Sequence, residues 1–177
     1  SIWCVGLSGA GKTTLGINLA NELNKKGYVY KLLDGDILRQ GISKDLWYTL
    51  EDRKENIRRA AEISKLFLDF GIITINCFVC PTREIREQAK MIIGKERYME
   101  VYLTAPIEIC ASRKKELYQK AQDGEIYDLP GIDSPFEAPA QPDVTINTEK
   151  TSIETSVKEV MKNILPNIQV SEVNIEL

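Results

Sequence analysis

The chain has 177 residues, of which 43% are hydrophobic and 28% are charged, and its formal net charge is −3. This balance predicts a single domain with a buried core, since domains commonly contain about 100–200 residues. The slightly acidic charge gives no general basis for binding a nucleic-acid polymer, and no apolar run approaches the ~18 residues of a membrane span, so we expect neither kind of partner.

The first predicted element is a short apolar strand, Ile2–Val5, and a glycine-rich octapeptide follows it at residues 6–13. Its sequence, GLSGAGKT, matches the phosphate-binding pattern G-x-x-x-x-G-K-[ST]. Glycines let successive N–H groups point at phosphate oxygens, Lys12 can reach the β- and γ-phosphates, and the Thr13 hydroxyl can ligate Mg²⁺. Leucines spaced four apart then predict a helix over residues 14–26, whose N-terminus faces the phosphates. The pattern predicts a site for a nucleoside triphosphate.

The rest of the chain alternates predicted strands with predicted helices. The further strands cover residues 28–33, 72–79, 98–103 and 144–147. The further helices cover residues 50–70, 82–93, 106–121 and 153–164. This alternation predicts an α/β fold, a three-layer, doubly wound parallel sheet of about five strands. Ligands of such sheets bind at the carboxyl ends of the strands, which places residues 6–13, Asp34, Asp36 and the Cys80-Pro81 turn along one edge.

Two segments depart from the alternation. Residues 122–142 are rich in glycine and proline and predict a long irregular loop, and such a loop in a compact domain usually serves as a lid or a binding loop. The tail, residues 166–177, alternates weakly and is expected to form an added edge strand or a disordered end. We expect residues 1–177 to form one domain.

The cysteines and the absence of histidine limit the chemistry. Cys77 and Cys80 form a C-x-x-C pair, but Cys77 lies in a predicted strand, and a zinc site would need a second ligand pair. We therefore favour ordinary buried or pocket thiols. Four cysteines without a secretory signal pattern predict a reduced, cytoplasmic protein. Without histidine, a general base must be a carboxylate, lysine, tyrosine or cysteine.

Several features favour a phosphoryl transferase over other nucleotide-binding classes. The sequence has no N-K-x-D motif for reading guanine, and the third predicted strand lacks a terminal acid of the type that mechanical ATPases use. The acids Asp34 and Asp36 follow the second strand instead, where they could reach an acceptor hydroxyl beside the γ-phosphate. A charged run at residues 52–59, DRKENIRR, is by its spacing typical of a solvated helix face with internal ion pairs.

Taken together, these motifs resemble the adenylylsulfate (APS) kinase family, from Trp3 to about Asn147. The matching segments are GLSGAGKTT at 6–14, LDGD at 33–36, DRKENIRR at 52–59, PTR at 81–83, LYQKA at 117–121 and GIDSPFEAP at 131–139. The resemblance implies a phosphate-loop kinase that uses Mg²⁺ and transfers the γ-phosphate of ATP to the ribose 3′-hydroxyl of adenylyl sulfate. It also implies a homodimer.

The same resemblance implies a role for each matching residue. It assigns ATP binding to Gly6, Ser8, Gly9, Ala10, Gly11, Lys12, Thr13, Thr14 and Arg113. It assigns the metal to Thr13 and Asp34, and catalysis to Lys12 and the two acids, with Asp36 as the expected base and Asp34 as the alternative. It assigns the acceptor nucleotide to Asp36, Arg39, Tyr48, Arg53, Asn56, Cys80, Pro81, Lys120, Leu129 and Ile132.

Departures from the family pattern cluster on the acceptor side. Trp47-Tyr48-Thr49 stands where the family has Gly-Phe-Ser, Leu129 replaces an aromatic residue of the lid, and Cys80 replaces a serine. Losing one of two stacking rings would weaken base binding by about 1–3 kcal/mol. Two alternatives therefore stay open. One is the same chemistry on another nucleotide, such as cytidine diphosphoramidate, and the other is a non-catalytic, nucleotide-binding regulatory domain.

Overall fold

A computed structural model describes residues 1–168, which contain one five-stranded parallel sheet in the order β2-β3-β1-β4-β5. The strands are β1 (Ile2–Val5), β2 (Tyr30–Asp34), β3 (Ile73–Phe78), β4 (Met99–Thr104) and β5 (Val144–Asn147). The helices are α1 (Lys12–Lys25), α2 (Gly35–Leu38), α3 (Leu50–Asp69), α4 (Arg83–Ile93), α5 (Ile107–Arg113), α6 (Lys115–Gln122) and α7 (Ile153–Ile164). The central strand β1 pairs with β3 on one side and β4 on the other.

Side chains of β1 point alternately into two cores, which is why helices cover both faces of the sheet. Ile2 and Cys4 join the core that includes α1 and α7, whereas Trp3 and Val5 join the core that includes α3 and α4. All four are buried. An unbroken apolar strand is typical of a parallel sheet covered on both faces. The predicted three-layer, doubly wound sheet is confirmed.

The structure corrects the prediction of one helix over residues 106–121. Two helices, α5 and α6, meet at Lys114, whose φ of −129° and ψ of 48° are not helical. The break reorients the chain so that Tyr118 in α6 faces the phosphate loop, where its hydroxyl donates to the Ser8 carbonyl oxygen. No proline or glycine marks this break in the sequence, and it is accompanied by the contact of Tyr118 with a distant part of the chain.

A short helix, α2, directly follows β2 and was not predicted. It has only four residues, too few for a helical periodicity to be visible in the sequence. The Asp34 side chain caps it by accepting a hydrogen bond from the N–H of Asp36. This cap connects the two acids of the LDGD segment through the backbone.

Residues 123–143 contain no helix and none of the five strands, apart from an isolated bridge between residues 130 and 134. The Asp133 carboxylate accepts hydrogen bonds from the N–H groups of Asp128 and Leu129, at 2.9 and 2.7 Å. Near the other end, Glu137 bonds to the backbone just after β3. Its carboxylate accepts from the Arg83 N–H, and its own N–H donates to the Pro81 carbonyl oxygen, both at 2.7 Å. This irregular segment is therefore tied to the carboxyl edge of the sheet.

The predicted tail, residues 166–177, falls mostly outside the described residues. Pro166 and Asn167 belong to a 3₁₀ turn, Leu165–Asn167, that follows α7, and residues 169–177 lie beyond the description. Within residues 1–168, every helix is too short or too polar to cross a membrane.

Candidate active site

The phosphate loop connects β1 to the N-terminus of α1, and its backbone requires glycine. Gly9 and Gly11 have φ values of +83° and +97°, in the left-handed region. A Cβ atom on Gly9 would lie 2.5 Å from the carbonyl oxygen of Cys110 in α5, which is closer than real contacts allow. The glycine pattern read from the sequence therefore has two causes, backbone conformation and the close approach of α5.

Lys12, the first residue of α1, folds back across the loop. Its Nζ donates to the carbonyl oxygens of Gly6 and Leu7, at 2.9 and 2.7 Å. Burial lowers the pKa of Lys12, and the nearby thiols and the Asp34 carboxylate partly oppose that effect. Within residues 1–168 no carboxylate lies within ion-pair distance of Nζ. Its positive charge is therefore left for an anionic ligand.

The carbonyl oxygens of residues 8–10 accept hydrogen bonds from side chains outside the loop. The Tyr118 hydroxyl donates to the Ser8 oxygen at 2.8 Å. Arg113 Nη1 donates to the Gly9 oxygen at 3.3 Å, and the Thr148 hydroxyl donates to the Ala10 oxygen at 3.0 Å. Arg113 also donates to the Thr148 hydroxyl and carbonyl oxygens, at 2.9 and 2.8 Å. Thr148 was missed from the sequence because it follows β5 in no recognisable motif.

A pocket of about 230 Å³ opens beside the loop, between α1 and α7. It is lined by Gly11, Thr14, Leu15, Leu103, Arg113, Ile146, Thr148, Thr151, Ile153 and Ser156. The lining combines an apolar floor with a few polar groups, as in most small-molecule sites. Its position next to the phosphate loop suits the base of a bound nucleotide.

The two acids after β2 lie in different environments. Asp34 is buried, and both of its oxygens are engaged, Oδ2 by the Thr13 hydroxyl at 2.7 Å and Oδ1 by the Asp36 N–H at 3.0 Å. The Asp36 side chain is exposed, and within residues 1–168 its carboxylate has no hydrogen-bond partner. Asp34 is therefore held in place, whereas Asp36 is available to a substrate.

The Thr13–Asp34 pair is chemically suited to Mg²⁺. Both side chains offer hard oxygen donors, and Mg²⁺ in nucleotide sites commonly takes one or two such ligands along with phosphate oxygens and water. No cluster of three or more metal-type side chains occurs in the described part of the chain, residues 1–168. The four cysteines are buried free thiols, in agreement with the sequence prediction, and Cys77 Sγ donates to the Lys12 carbonyl oxygen at 3.3 Å.

Two arginines meet at the ring of Tyr48, which precedes α3. Their guanidinium carbons lie 4.5 Å (Arg39) and 5.4 Å (Arg53) from the ring centroid. Arg39 donates to the Trp47 carbonyl oxygen from two nitrogens, each at 3.2 Å. Arg53 Nε donates to the Tyr48 carbonyl oxygen at 2.9 Å, and its Nη2 donates to the Asp128 carbonyl oxygen at 2.8 Å.

Neither arginine is neutralised by a carboxylate within 4 Å among residues 1–168. Burial, and then the adjacent charge of Arg39, lowers the pKa of Arg53 to about 10. Buried charges are normally paired, because leaving water is costly for an isolated ion. Two adjacent arginines whose partners within residues 1–168 are carbonyl oxygens are therefore suited to bind an anion.

Asn56 lies one helical turn beyond Arg53 on the same face of α3, as predicted from the spacing. It is 1% exposed, and its Oδ1 atom has no hydrogen-bond partner within residues 1–168. The outward charges of the same run form ion pairs, with Glu55 bonded to Arg58 at 2.7 Å and to Arg59 at 2.9 Å. The run thus combines a solvated ion-pair face with a buried polar face.

The remaining predicted acceptor residues lie at the end of β3 and in the irregular segment, with one exception. Cys80 and Pro81 are buried, Leu129 is buried, and Ile132 is 39% exposed. Lys120 is not brought to the loop, since its Nζ pairs with Glu116 at 2.7 Å on the exposed side of α6. Residues two apart on a helix point in different directions, so Tyr118 rather than Lys120 faces the loop.

Comparisons with known proteins agree with this geometry. The family model described as adenylylsulphate kinase matches residues 1–147. An adenylyl-sulfate kinase of Bacteroides thetaiotaomicron is 49% identical over 169 residues, covering 95% of this chain and 84% of the relative. One of Clostridium acetobutylicum is 46% identical over 162 residues, covering 91% of this chain and 80% of the relative.

Solved structures agree in fold, and one of them also agrees in family. The Mycobacterium tuberculosis APS kinase CysC, in complex with AMPPNP and APS, has a TM-score of 0.88 at 34% identity and covers 93% of this chain and 96% of its own. A gluconokinase from Sinorhizobium meliloti, with a TM-score of 0.61 at 17% identity, covers 95% of this chain and 93% of its own and shares the fold alone. The chain belongs to the adenylylsulphate kinase family of phosphotransferases.

Proposed function

We propose that this protein transfers the γ-phosphate of ATP to the ribose 3′-hydroxyl of adenylyl sulfate. The main support is the coexistence of two anion sites, the phosphate loop with Lys12, and the arginine pair Arg39 and Arg53 that no carboxylate of residues 1–168 neutralises. Relatives named adenylyl-sulfate kinase, and a solved relative that holds AMPPNP together with APS, also support it. A nucleotide carrying a phosphosulfate group matches the second site.

On the donor side, the residues of the phosphate loop bind the ATP phosphates and the adjacent pocket takes the base. Lys12 exchanges its bonds to loop carbonyl oxygens for bonds to the β- and γ-phosphates, and Arg113 lines the pocket beside them. Thr13 and Asp34 would hold Mg²⁺, which when bound neutralises phosphate charge. The Thr13 hydroxyl donates its proton to Asp34 and would still offer its oxygen lone pairs as a metal ligand.

On the acceptor side, Asp36 accepts the proton of the attacking hydroxyl group. Arg53 and Arg39 hold the phosphosulfate, and Tyr48 offers a ring face for the base. The Asn56 Oδ1 atom, which has no partner among residues 1–168, accepts a hydrogen bond from the substrate. The apolar wall is supplied by Cys80, Pro81, Leu129 and Ile132. The rate enhancement would come from positioning and charge neutralisation, which dominate phosphoryl transfer.

An acceptor panel tests this proposal. The protein is incubated with ATP and Mg²⁺ together with adenylyl sulfate, AMP or cytidine diphosphoramidate, and phosphorylated products are separated by chromatography. We expect kcat/KM for adenylyl sulfate to exceed that of every other acceptor by about 100-fold, since mismatched buried polar groups penalise analogues strongly. A preference for the cytidine acceptor would reject the proposed substrate, and no transfer to any acceptor would indicate a binding domain. Lys12→Met, which removes the phosphate-binding charge, serves as the inactive control.

We also propose that the protein is a homodimer, as the family resemblance implies. Light scattering would then give a mass of twice the 20.0 kDa of this chain. A mass equal to one chain at micromolar concentration would contradict it.

A further inference from the structure

The carbonyl groups of residues 6–10 in the phosphate loop divide into two sets. Those of Gly6 and Leu7 accept hydrogen bonds from Lys12 within the loop. Those of residues 8–10 accept hydrogen bonds from three side chains that come from α5, from α6 and from the turn after β5. The outer side of the loop is therefore held by parts of the chain that are more than 100 residues away in sequence.

The orientation of these carbonyl groups determines where the N–H groups point. In a planar trans peptide the C=O of one residue and the N–H of the next point in opposite directions. Holding the Ser8 carbonyl away from the loop centre therefore directs the Gly9 N–H towards it. Within residues 1–168 the Gly9 N–H has no hydrogen-bond acceptor, as expected of a donor kept for a ligand.

Tyr118 is well placed to fix the Ser8 carbonyl. Its side chain is 2% exposed, and its hydroxyl makes a 2.8 Å hydrogen bond to that oxygen. Burial, with a smaller effect of Cys110, raises the pKa of Tyr118 to about 12, which keeps the hydroxyl a proton donor at neutral pH. A buried tyrosine hydroxyl needs a partner, and the loop carbonyl is the one that this structure provides.

We propose that Tyr118 is a positioning residue of the phosphate loop: its hydroxyl holds the Ser8 carbonyl outward and thereby aims the Gly9 N–H at the bound triphosphate. The tyrosine itself does not touch the nucleotide. This inference rests on the proposed use of ATP at the loop. It extends that proposal by giving a role to a residue outside both nucleotide sites.

The test is the variant Tyr118→Phe, which removes one hydroxyl and keeps the buried ring. The matched control is Tyr127→Phe, because Tyr127 is 72% exposed. Binding of ATP and, separately, of adenylyl sulfate is measured by calorimetry, and thermal melting confirms that each variant is folded. We expect the Kd for ATP to rise about tenfold in Tyr118→Phe, while the Kd for adenylyl sulfate stays within twofold and Tyr127→Phe matches the native protein.

Two results with Tyr118→Phe would overturn the inference. One is an ATP affinity within twofold of the native value, and the other is an equal loss of affinity for both nucleotides, which would indicate a structural role. Incorporating 4-aminophenylalanine at position 118 restores a donor and should recover most of the ATP affinity, and no recovery would also overturn it. Failure of the native protein to bind adenylyl sulfate would reject the proposed acceptor, yet the ATP measurement would still decide the role of Tyr118.

Discussion

The donor and acceptor sides of this cleft are built in different ways. On the donor side, the backbone provides the site, and the loop carbonyl oxygens are satisfied by Lys12, Tyr118, Arg113 and Thr148. On the acceptor side, side chains provide the site, and several polar groups have no counter-charge or partner within residues 1–168. A site made of backbone tolerates little change, whereas a site made of side chains can alter its ligand by substitution. This contrast is consistent with the expectation from the sequence that departures from the family pattern cluster around the acceptor.

The largest effect on activity is expected at Asp36, between the donor side and the acceptor side. Asp36→Asn removes the proposed base, and we expect kcat to fall about 1000-fold, within the range for loss of a general base. The KM for ATP should change less than threefold, because Asp36 is not part of the phosphate loop. Steady-state kinetics measures both, with Glu87→Gln, an exposed acid on α4, as the control. An unchanged kcat would move the role of base to Asp34.

The second-largest effect is expected from a change in the backbone conformation of the phosphate loop. Gly9→Ala introduces a Cβ at φ +83° and 2.5 Å from the Cys110 carbonyl oxygen, so the loop must shift. We expect kcat/KM for ATP to fall about 100-fold, the loss typical of a small displacement in a positioned site. Gly27→Ala is a matched control, since Gly27 has φ +80° and no atom of the described residues lies within 4 Å of the added Cβ. Equal losses in both variants would show that strain alone, rather than contact with α5, is the cause.

A smaller effect is expected where side chains make the site. Arg53→Lys keeps the charge and loses the fork geometry of the guanidinium, so we expect KM for adenylyl sulfate to rise about 30-fold, or about 2 kcal/mol. KM for ATP should stay within twofold. Arg58→Lys, five residues along the same helix on its solvated face, should leave both constants unchanged. A rise in KM for ATP would contradict the separation of the two sides.

The smallest effect concerns the ion pairs on the outer face of α3. Hydrogen bonds from Arg58 and Arg59 lower the pKa of Glu55 from 4.5 to about 2. A lowered pKa contributes stability above pH 4.5 that is lost as the pH falls towards 2. Because these side chains are partly exposed, we expect Glu55→Gln to lower the free energy of unfolding at pH 7 by well under 1 kcal/mol.

Thermal melting at several pH values measures the Glu55 effect. The difference in Tm between Glu55→Gln and the native protein should be about 1 °C at neutral pH and should disappear near pH 2. A difference that persists at low pH would mean that the loss arises from packing. Transfer activity should be unaffected, in contrast to the variants of the buried face.

Local patterns in the sequence predicted most of the fold. Apart from the break at Lys114 and the short helix α2, the order and approximate bounds of the strands and helices agree with the structure. The left-handed glycines of the loop and the shared face of Arg53 and Asn56 also depend on local sequence and agree with it. The break at Lys114, the contact of Thr148 with the loop and the orientation of Lys120 depend on packing between distant segments. No spacing rule encodes such packing. The contact of Tyr118 with the Ser8 carbonyl oxygen also depends on packing between distant segments. It was therefore not predicted, although residues 117–121 were recognised as part of the family pattern.

The irregular segment after α6 has ties at two points, Arg53 to the Asp128 carbonyl at one end and Glu137 to the backbone of residues 81–83 at the other. Residues 129–136 lie between these two anchors. Between them, Asp133 accepts hydrogen bonds from the N–H groups of Asp128 and Leu129, so a stretch grafted from a relative must keep this aspartate together with both attachment points. The segment can therefore be exchanged as a unit, and recombination at these positions offers a direct route to new acceptor preferences on an unchanged donor site.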